Sequence, residues 1–189
     1  MRHKYETRGI ILARAASGEA NAFVTILTPS IGLIRAHAQG VRRPGAKLAP
    51  ALATFAESEL MLVHGKDNWR IAGAVLSENW FARMRHYAPR TRAARLSHLL
   101  LRLVAGEVRE PALFPIVTGF FEALAALPEE THDAAEVLAA LRVLAALGLD
   151  TGSIPGETSA FTPALLAEVK AQRAKYVARI NRGINASGL

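Results

Sequence analysis

Three cations, Arg42, Arg43 and Lys47, fall within six residues on the segment Gln39-Gly40-Val41-Arg42-Arg43-Pro44-Gly45-Ala46-Lys47, with Arg35 and His37 just ahead of it. Two glycines and a proline punctuate the segment, so it reads as a connector that ends neither a helix nor a long strand. Cations at this density do one kind of chemistry unaided. Each phosphate they neutralise releases a condensed counterion, which drives binding without reference to base sequence. Aromatic side chains add a second mode, because an exposed ring can stack a nucleobase. Phe23 sits in mid-strand and reads as core. Trp69 borders a turn with Lys66 and Arg70 nearby, and both packing and stacking remain open for it.

Catalytic arrangements are hard to assemble. The six histidines (His3, His37, His64, His86, His98 and His132) are scattered, and none pairs at His-x-x-x-His spacing. Glu129-Glu130 follows Pro128 and reads as a solvated charge run. The stretch from Gly40 to Gly45 lacks the Gly-Lys-Ser/Thr ending of a phosphate loop. Gly152-Ser153-Ile154-Pro155-Gly156 has the outline of a nucleophile turn but follows a helical pattern where a strand is needed. With no cysteine there is no disulfide, no thiolate zinc site and no thiol nucleophile. The expectation is a binding protein, without enzymatic activity, cofactor or metal.

The chain has 189 residues, a net charge of +7 and a sequence pI near 10.4, so its default partners are anions. The charge is unevenly placed. Residues 1–50 carry eight Lys/Arg against two acids, and residues 81–110 carry seven against two. Residues 111–169 reverse the sign, with eight acids opposed only by Arg142, and residues 170–189 add five basic groups. Hydrophobic residues make up 51%, enough for a sizeable core. No apolar run approaches the roughly 18–20 residues that cross a bilayer, and the first residues lack the apolar stretch of a secretory signal. A soluble, cytoplasmic location away from membranes is expected.

Five short runs rich in apolar and β-branched residues define the elements that would position the cations: Gly9 to Arg14, Ala22 to Thr28, Ile31 to Ala38, Ser58 to His64 and Trp69 to Leu76. Five strands at this size close most economically into an OB-fold barrel, which leaves no sticky edge. After Trp80 the periodicity becomes helical. Leu96, Leu99, Leu100 and Leu103 share one face, and a second helix starts at Pro111 and stops before Pro128. A third is capped by Asp133 and ends at Gly148, and a fourth starts at Thr162-Pro163 and runs to Ile180. The fold class is α+β, with an OB-fold domain over residues 1–80 and an all-α domain over residues 81–189. Apolar helices bearing isolated arginines could also form a groove for an acidic, hydrophobic peptide. For Arg142 the residues favour an ordinary ion pair with Glu136 or Glu122.

The sequence resembles the RecO family. Tyr5-Glu6-Thr7-Arg8-Gly9-Ile10-Ile11-Leu12 is similar to the family's first strand, and Gly18-Glu19-Ala20-Asn21 with Val24-Thr25-Ile26-Leu27-Thr28 to its second. Gly32-Leu33-Ile34, Ala38-Gln39-Gly40-Val41-Arg42-Arg43 and Lys47-Leu48-Ala49-Pro50-Ala51-Leu52 resemble its third strand and basic loop, in order and at matching spacing. The resemblance covers about residues 4–80 and thins to a helical outline beyond, at Pro111-Ala112-Leu113-Phe114 and Leu141 to Leu149. It implies a recombination mediator in DNA repair that binds single- and double-stranded DNA and anneals complementary strands. It also implies contact with the acidic C-terminal tail of the single-stranded-DNA-binding protein, and RecA loading with a RecR-like partner. Carried over by position, the DNA contacts are Arg35, Arg42, Arg43 and Lys47; Trp69 joins them as a DNA-contact candidate only through its place beside the turn. The tail contacts are Arg142 with Leu141 and Leu144. Two departures stand out. Thr151 to Ser159 replaces the cysteine zinc motif of many members, and Ala139-Ala140 stands where the family has Phe-Glu. From the residues alone, an RNA-binding OB module of translation or ribosome assembly is the alternative, because the same loop would hold either nucleic acid.

Overall fold

Alternation of inward apolar and outward polar residues from Lys4 onward produces five strands: β1 (Lys4–Ser17), β2 (Asn21–Thr28), β3 (Gly32–Ala38), β4 (Ala56–His64) and β5 (Trp69–Asn79). The computed structural model describes residues 4–65, 68–104, 106–157 and 159–188; His3 and Lys66 lie outside them. The strands close into a barrel in the order β1-β2-β3-β5-β4, the OB arrangement. β1 is longer than the apolar run Gly9 to Arg14 because it serves two partners. Lys4 to Ile10 pairs with β4, and Ile10 to Ser17 pairs with β2 across a bulge between Ile11 and Ala13. Such a bulge lets one strand bend from one side of a barrel to the other. Closure is completed by a short parallel pairing of β3 with β5, Ala36 with Trp69 and His37 with Arg70. Ile11, Val24, Ile26, Ile34, Leu60 and Leu62 fill the interior.

By compactness the chain divides into two units. The first joins Met1–Ala82 to Gly106–Pro111, a short segment from further along the chain. The Leu33 amide donates to the Val108 carbonyl at 3.2 Å, the Arg109 Nε donates to the Ser30 carbonyl at 2.8 Å, and the Trp69 indole N–H donates to Glu107 at 2.6 Å. Segment 106–111 therefore supplies one main-chain partner to the start of β3, the Val108 carbonyl, and side-chain bonds to Ser30 and Trp69 on either side.

The second unit contains α2 (Tyr87–Leu103), α3 (Leu113–Ala126), α4 (His132–Ala146), α5 (Pro163–Ala171) and α6 (Arg173–Ala186), after a short α1 (Trp80–Arg83) where the two units meet in sequence. α4 is its centre. Ala134, Ala135, Val137, Leu138, Ala139, Ala140, Leu141, Val143 and Leu144 are all buried, as expected of a helix apolar on every side. Phe120 and Phe121 of α3 pack fully buried beside it. The basic C-terminal stretch read as one helix is two, because the chain leaves helical geometry at Gln172. Thr162 caps α5 as expected, accepting from the Leu165 amide, with Pro163 at the first helical position. No helix among the described residues is long and apolar enough to cross a membrane.

Candidate nucleic-acid interface

The connector after β3 is a folded structure, pinned to the barrel near both ends. The Gly40 amide donates to Asn21 Oδ1 at 2.8 Å, and the Arg42 amide donates to the Ala20 carbonyl at 2.9 Å. The Phe55 amide closes the far end on the Ile11 carbonyl at 2.8 Å. Between these pins Val41, Ala51 and Leu52 turn inward and are buried. The apolar side of the connector thus covers the barrel interior, and its polar side is left in solvent. Arg42, Arg43 and Lys47 lie on that outer side and are exposed. Arg42 also donates from Nη1 to the Gly18 carbonyl at 2.7 Å, which ties the basic connector to the β1–β2 turn. Among the described residues, none of Arg35, Arg42, Arg43 and Lys47 meets a carboxylate. Their charge is available to an external anion.

Arg35 stands on the outer face of β3, opposite Thr25, and is exposed. Phe23 shares that face, contrary to the expectation that it belongs to the core. Its neighbours Ala22 and Val24 point inward and are buried, so strand alternation turns Phe23 outward, half-buried. Trp69 moves the other way. It is 6% exposed, belongs to the barrel core, holds Glu107 through its N–H, and meets Tyr5 and His64 edge-on. An indole enclosed in this way packs and cannot stack a base, so the DNA-contact expectation for Trp69 is corrected. Two outward cations escaped the sequence reading. Arg70 on β5 is exposed beside His37, and Lys4 is exposed at the start of β1. The alternation Arg70 out, Ile71 in was a usable signal for the first.

The helical unit corrects the other site residues. Leu141 and Leu144 are fully buried and Arg142 is 4% exposed, so none of the three offers a surface to a peptide. Arg142 does not pair with Glu136 or Glu122. It donates to the Ala160 carbonyl at 2.8 Å and the Pro155 carbonyl at 3.2 Å, and lies 4.8 Å from the Phe161 ring centre. Burial pushes its pKa down to about 10, which still leaves it charged at neutral pH. Its work is to hold Pro155 and Ala160 against α4. Glu136 is engaged elsewhere, accepting from Arg92 and Arg95, while Asp133 accepts from Arg173 and Asp150 from Arg179. Among the described residues, three of the block's eight acids are thus neutralised internally by the two basic zones that flank it.

These pairs carry a pH consequence. Arg173 beside Asp133 and Arg179 beside Asp150 each hold the carboxyl below its ordinary range. A depressed carboxylate stabilises the fold above its unfolded pKa of about 3.9, and that contribution is lost as pH falls through the folded value. The helical unit is therefore expected to soften below about pH 4, with Tm dropping roughly 5 °C. Asp150→Asn should remove part of that acid-sensitive loss, which thermal melts of both proteins across pH would detect.

A cavity of about 440 Å³ lies between α2 and α6, floored by Ala94, Leu99 and Ile184 and rimmed by Arg95, His98 and Arg102. It lies away from Arg142, Leu141 and Leu144.

A closed five-stranded barrel of OB order, with cations on β3 and on the connector that follows that meet no carboxylate among the described residues, is an OB-fold domain with a cationic outer face. Residues 1–79 match the family described as Recombination protein O N terminal. Over 101 residues the chain is 38% identical to the DNA repair protein RecO of Acaryochloris marina (strain MBIC 11017), covering 53% of this chain and 34% of that protein. Over 122 residues it is 29% identical to the DNA repair protein RecO of Dehalococcoides mccartyi (strain ATCC BAA-2266 / KCTC 15142 / 195), covering 65% and 48%. A third relative, the DNA repair protein RecO of Cyanothece sp. (strain PCC 7425 / ATCC 29141), is 28% identical over 141 residues, covering 75% and 46%. The chain spans between about a third and a half of the length of these relatives.

Proposed function

We propose that this chain is a DNA-binding mediator of repair and recombination that captures single- and double-stranded DNA electrostatically and anneals complementary strands without catalysis. The observation that carries the reading is the set Arg35, Arg42, Arg43 and Lys47, exposed on a RecO-type barrel and free of carboxylate partners among the described residues. Cations spent on internal pairs, like Arg92 or Arg173, would contribute little to phosphate capture. The test is annealing of complementary strands coated with single-stranded-DNA-binding protein. The Arg42→Ala/Arg43→Ala/Lys47→Ala variant should anneal at least about ten-fold more slowly; annealing at the wild-type rate would remove the connector from the function.

Assistance to RecA loading together with a RecR-like protein belongs to the same reading, as does recruitment through the acidic tail of the single-stranded-DNA-binding protein. The surface that suits such a tail is the α2/α6 cavity, whose apolar floor, with His98 and Arg102 on the rim beside the paired Arg95, complements a short peptide with acidic and apolar residues. Arg102→Glu is expected to weaken binding of that tail peptide about five-fold, read by fluorescence anisotropy. An unchanged affinity would place the tail elsewhere.

A further inference from the structure

The barrel register sets side chains from three strands in one outward row. Phe23 on β2 is the partner of His37 on β3, and His37 is the partner of Arg70 on β5. Adjacent strands stand about 4.8 Å apart, so successive members of the row are within contact of one another. The Phe23 and His37 rings meet edge-on with 5.3 Å between centres. Arg35, two residues before His37 on the same face, lays its guanidinium carbon 4.3 Å from the centre of the Phe23 ring. Arg70 is positioned by Gln39, whose Oε1 accepts from Arg70 Nη2 at 3.4 Å. Val24 and Ala36, on the opposite side of the same strands, are fully buried, so the row is backed directly by the barrel core.

The chemistry of this row differs from that of the connector. A bare electrostatic surface needs only charge, and flexible lysines serve it well. Here all four groups are planar or carry planar cations, and among the described residues neither Arg35 nor Arg70 has a carboxylate partner. A guanidinium lying on an aromatic ring keeps its charge and still offers its outer face. Flat faces combined with positive charge are complementary to a nucleobase with its phosphate attached. We infer that Phe23, Arg35 and His37, with Arg70 beside them, form a base-stacking subsite that takes an unpaired nucleobase of a single strand. This rests on the nucleic-acid reading above and adds to it a preference that phosphate contacts alone do not supply. A duplex keeps its bases stacked on one another and shows only edges and phosphates, so it gains nothing from the row.

The probe is an oligothymidylate set against an abasic strand of the same length, which has the same phosphates and no bases. The wild-type chain is expected to bind the oligothymidylate about ten-fold more tightly. The Phe23→Leu/Arg35→Lys variant keeps apolar volume and charge but removes two planar faces. It should bring the two affinities together while leaving their salt dependence unchanged. His37→Ala should narrow the gap in part. Equal wild-type affinity for the two strands overturns the subsite and leaves phosphate capture standing, and so does a double variant that retains the wild-type preference. Absence of salt-dependent binding to either strand would instead overturn the nucleic-acid reading and the subsite with it. The wild-type comparison involves no substitution, so a folding defect in a variant cannot mask the result.

Discussion

Removing the three connector cations, as Arg42→Ala/Arg43→Ala/Lys47→Ala, is expected to weaken single-stranded DNA binding about a hundred-fold at low salt. The dependence of log affinity on log salt should become shallower by about 2, because each single-strand phosphate contact contributes a slope of about 0.7. The fold should survive the change. All three side chains are exposed, and the connector is pinned by main-chain groups and by inward apolar residues that the substitutions leave alone. The one internal bond lost, from Arg42 to the Gly18 carbonyl, is at the surface and contributes at most about 1 kcal/mol. Anisotropy titrations across a salt series would measure both quantities together. An unchanged slope with a normal melting curve would mean that DNA approaches another face.

Gly32→Ala is expected to be the most damaging single methyl in the barrel. Gly32 has φ of 88°, a conformation that L side chains rarely adopt, and a Cβ added there would stand 2.0 Å from the Val108 carbonyl oxygen. The obstacle is main chain and cannot rotate aside. Segment 106–111 would have to leave β3, breaking the Leu33 to Val108 hydrogen bond and loosening the Arg109 to Ser30 and Trp69 to Glu107 bonds beside it. Backbone strain plus forced displacement should cost about 3 kcal/mol or more, which lowers Tm by about 10 °C. Trp69 would report the event directly, since freeing its indole from Glu107 and the core should shift its emission to longer wavelength. A melting curve and spectrum unchanged from wild type would show that segment 106–111 contributes nothing to the barrel.

Much of this protein could be read from residue order because the relevant forces act over a few residues. β-branched runs separated by turn residues mark the five strands, and the leucine spacing from Leu96 to Leu103 marks a helix. The Thr162-Pro163 cap follows from local capping geometry, and the density of Arg and Lys on a Gly- and Pro-punctuated connector places cations in solvent. The ordered resemblance from Tyr5 to Leu52 rests on the same grounds, as several spaced local patterns in series, and the family match over residues 1–79 falls on the same segment.

Three things were settled only by folding, each through contacts between residues far apart in the chain. Trp69 borders a turn, and nothing near it shows that Glu107, from a segment beyond α2, will take its N–H and draw the ring out of solvent. Arg142 stands in an acidic stretch, but Glu136 points to Arg92 and Arg95, and the carbonyls of Pro155 and Ala160 take Arg142 instead. Phe23 and Arg70 change meaning with register, since a shift of one residue exchanges the inner and outer faces of a strand. Residue order by itself therefore determined the barrel, the helices and the basic connector. The tertiary structure alone decided which cations stay free, which aromatic rings face out, and that Phe23, Arg35, His37 and Arg70 share one surface. Charge neutralisation and facing depend on partners brought together only when the barrel closes and α4 is enclosed.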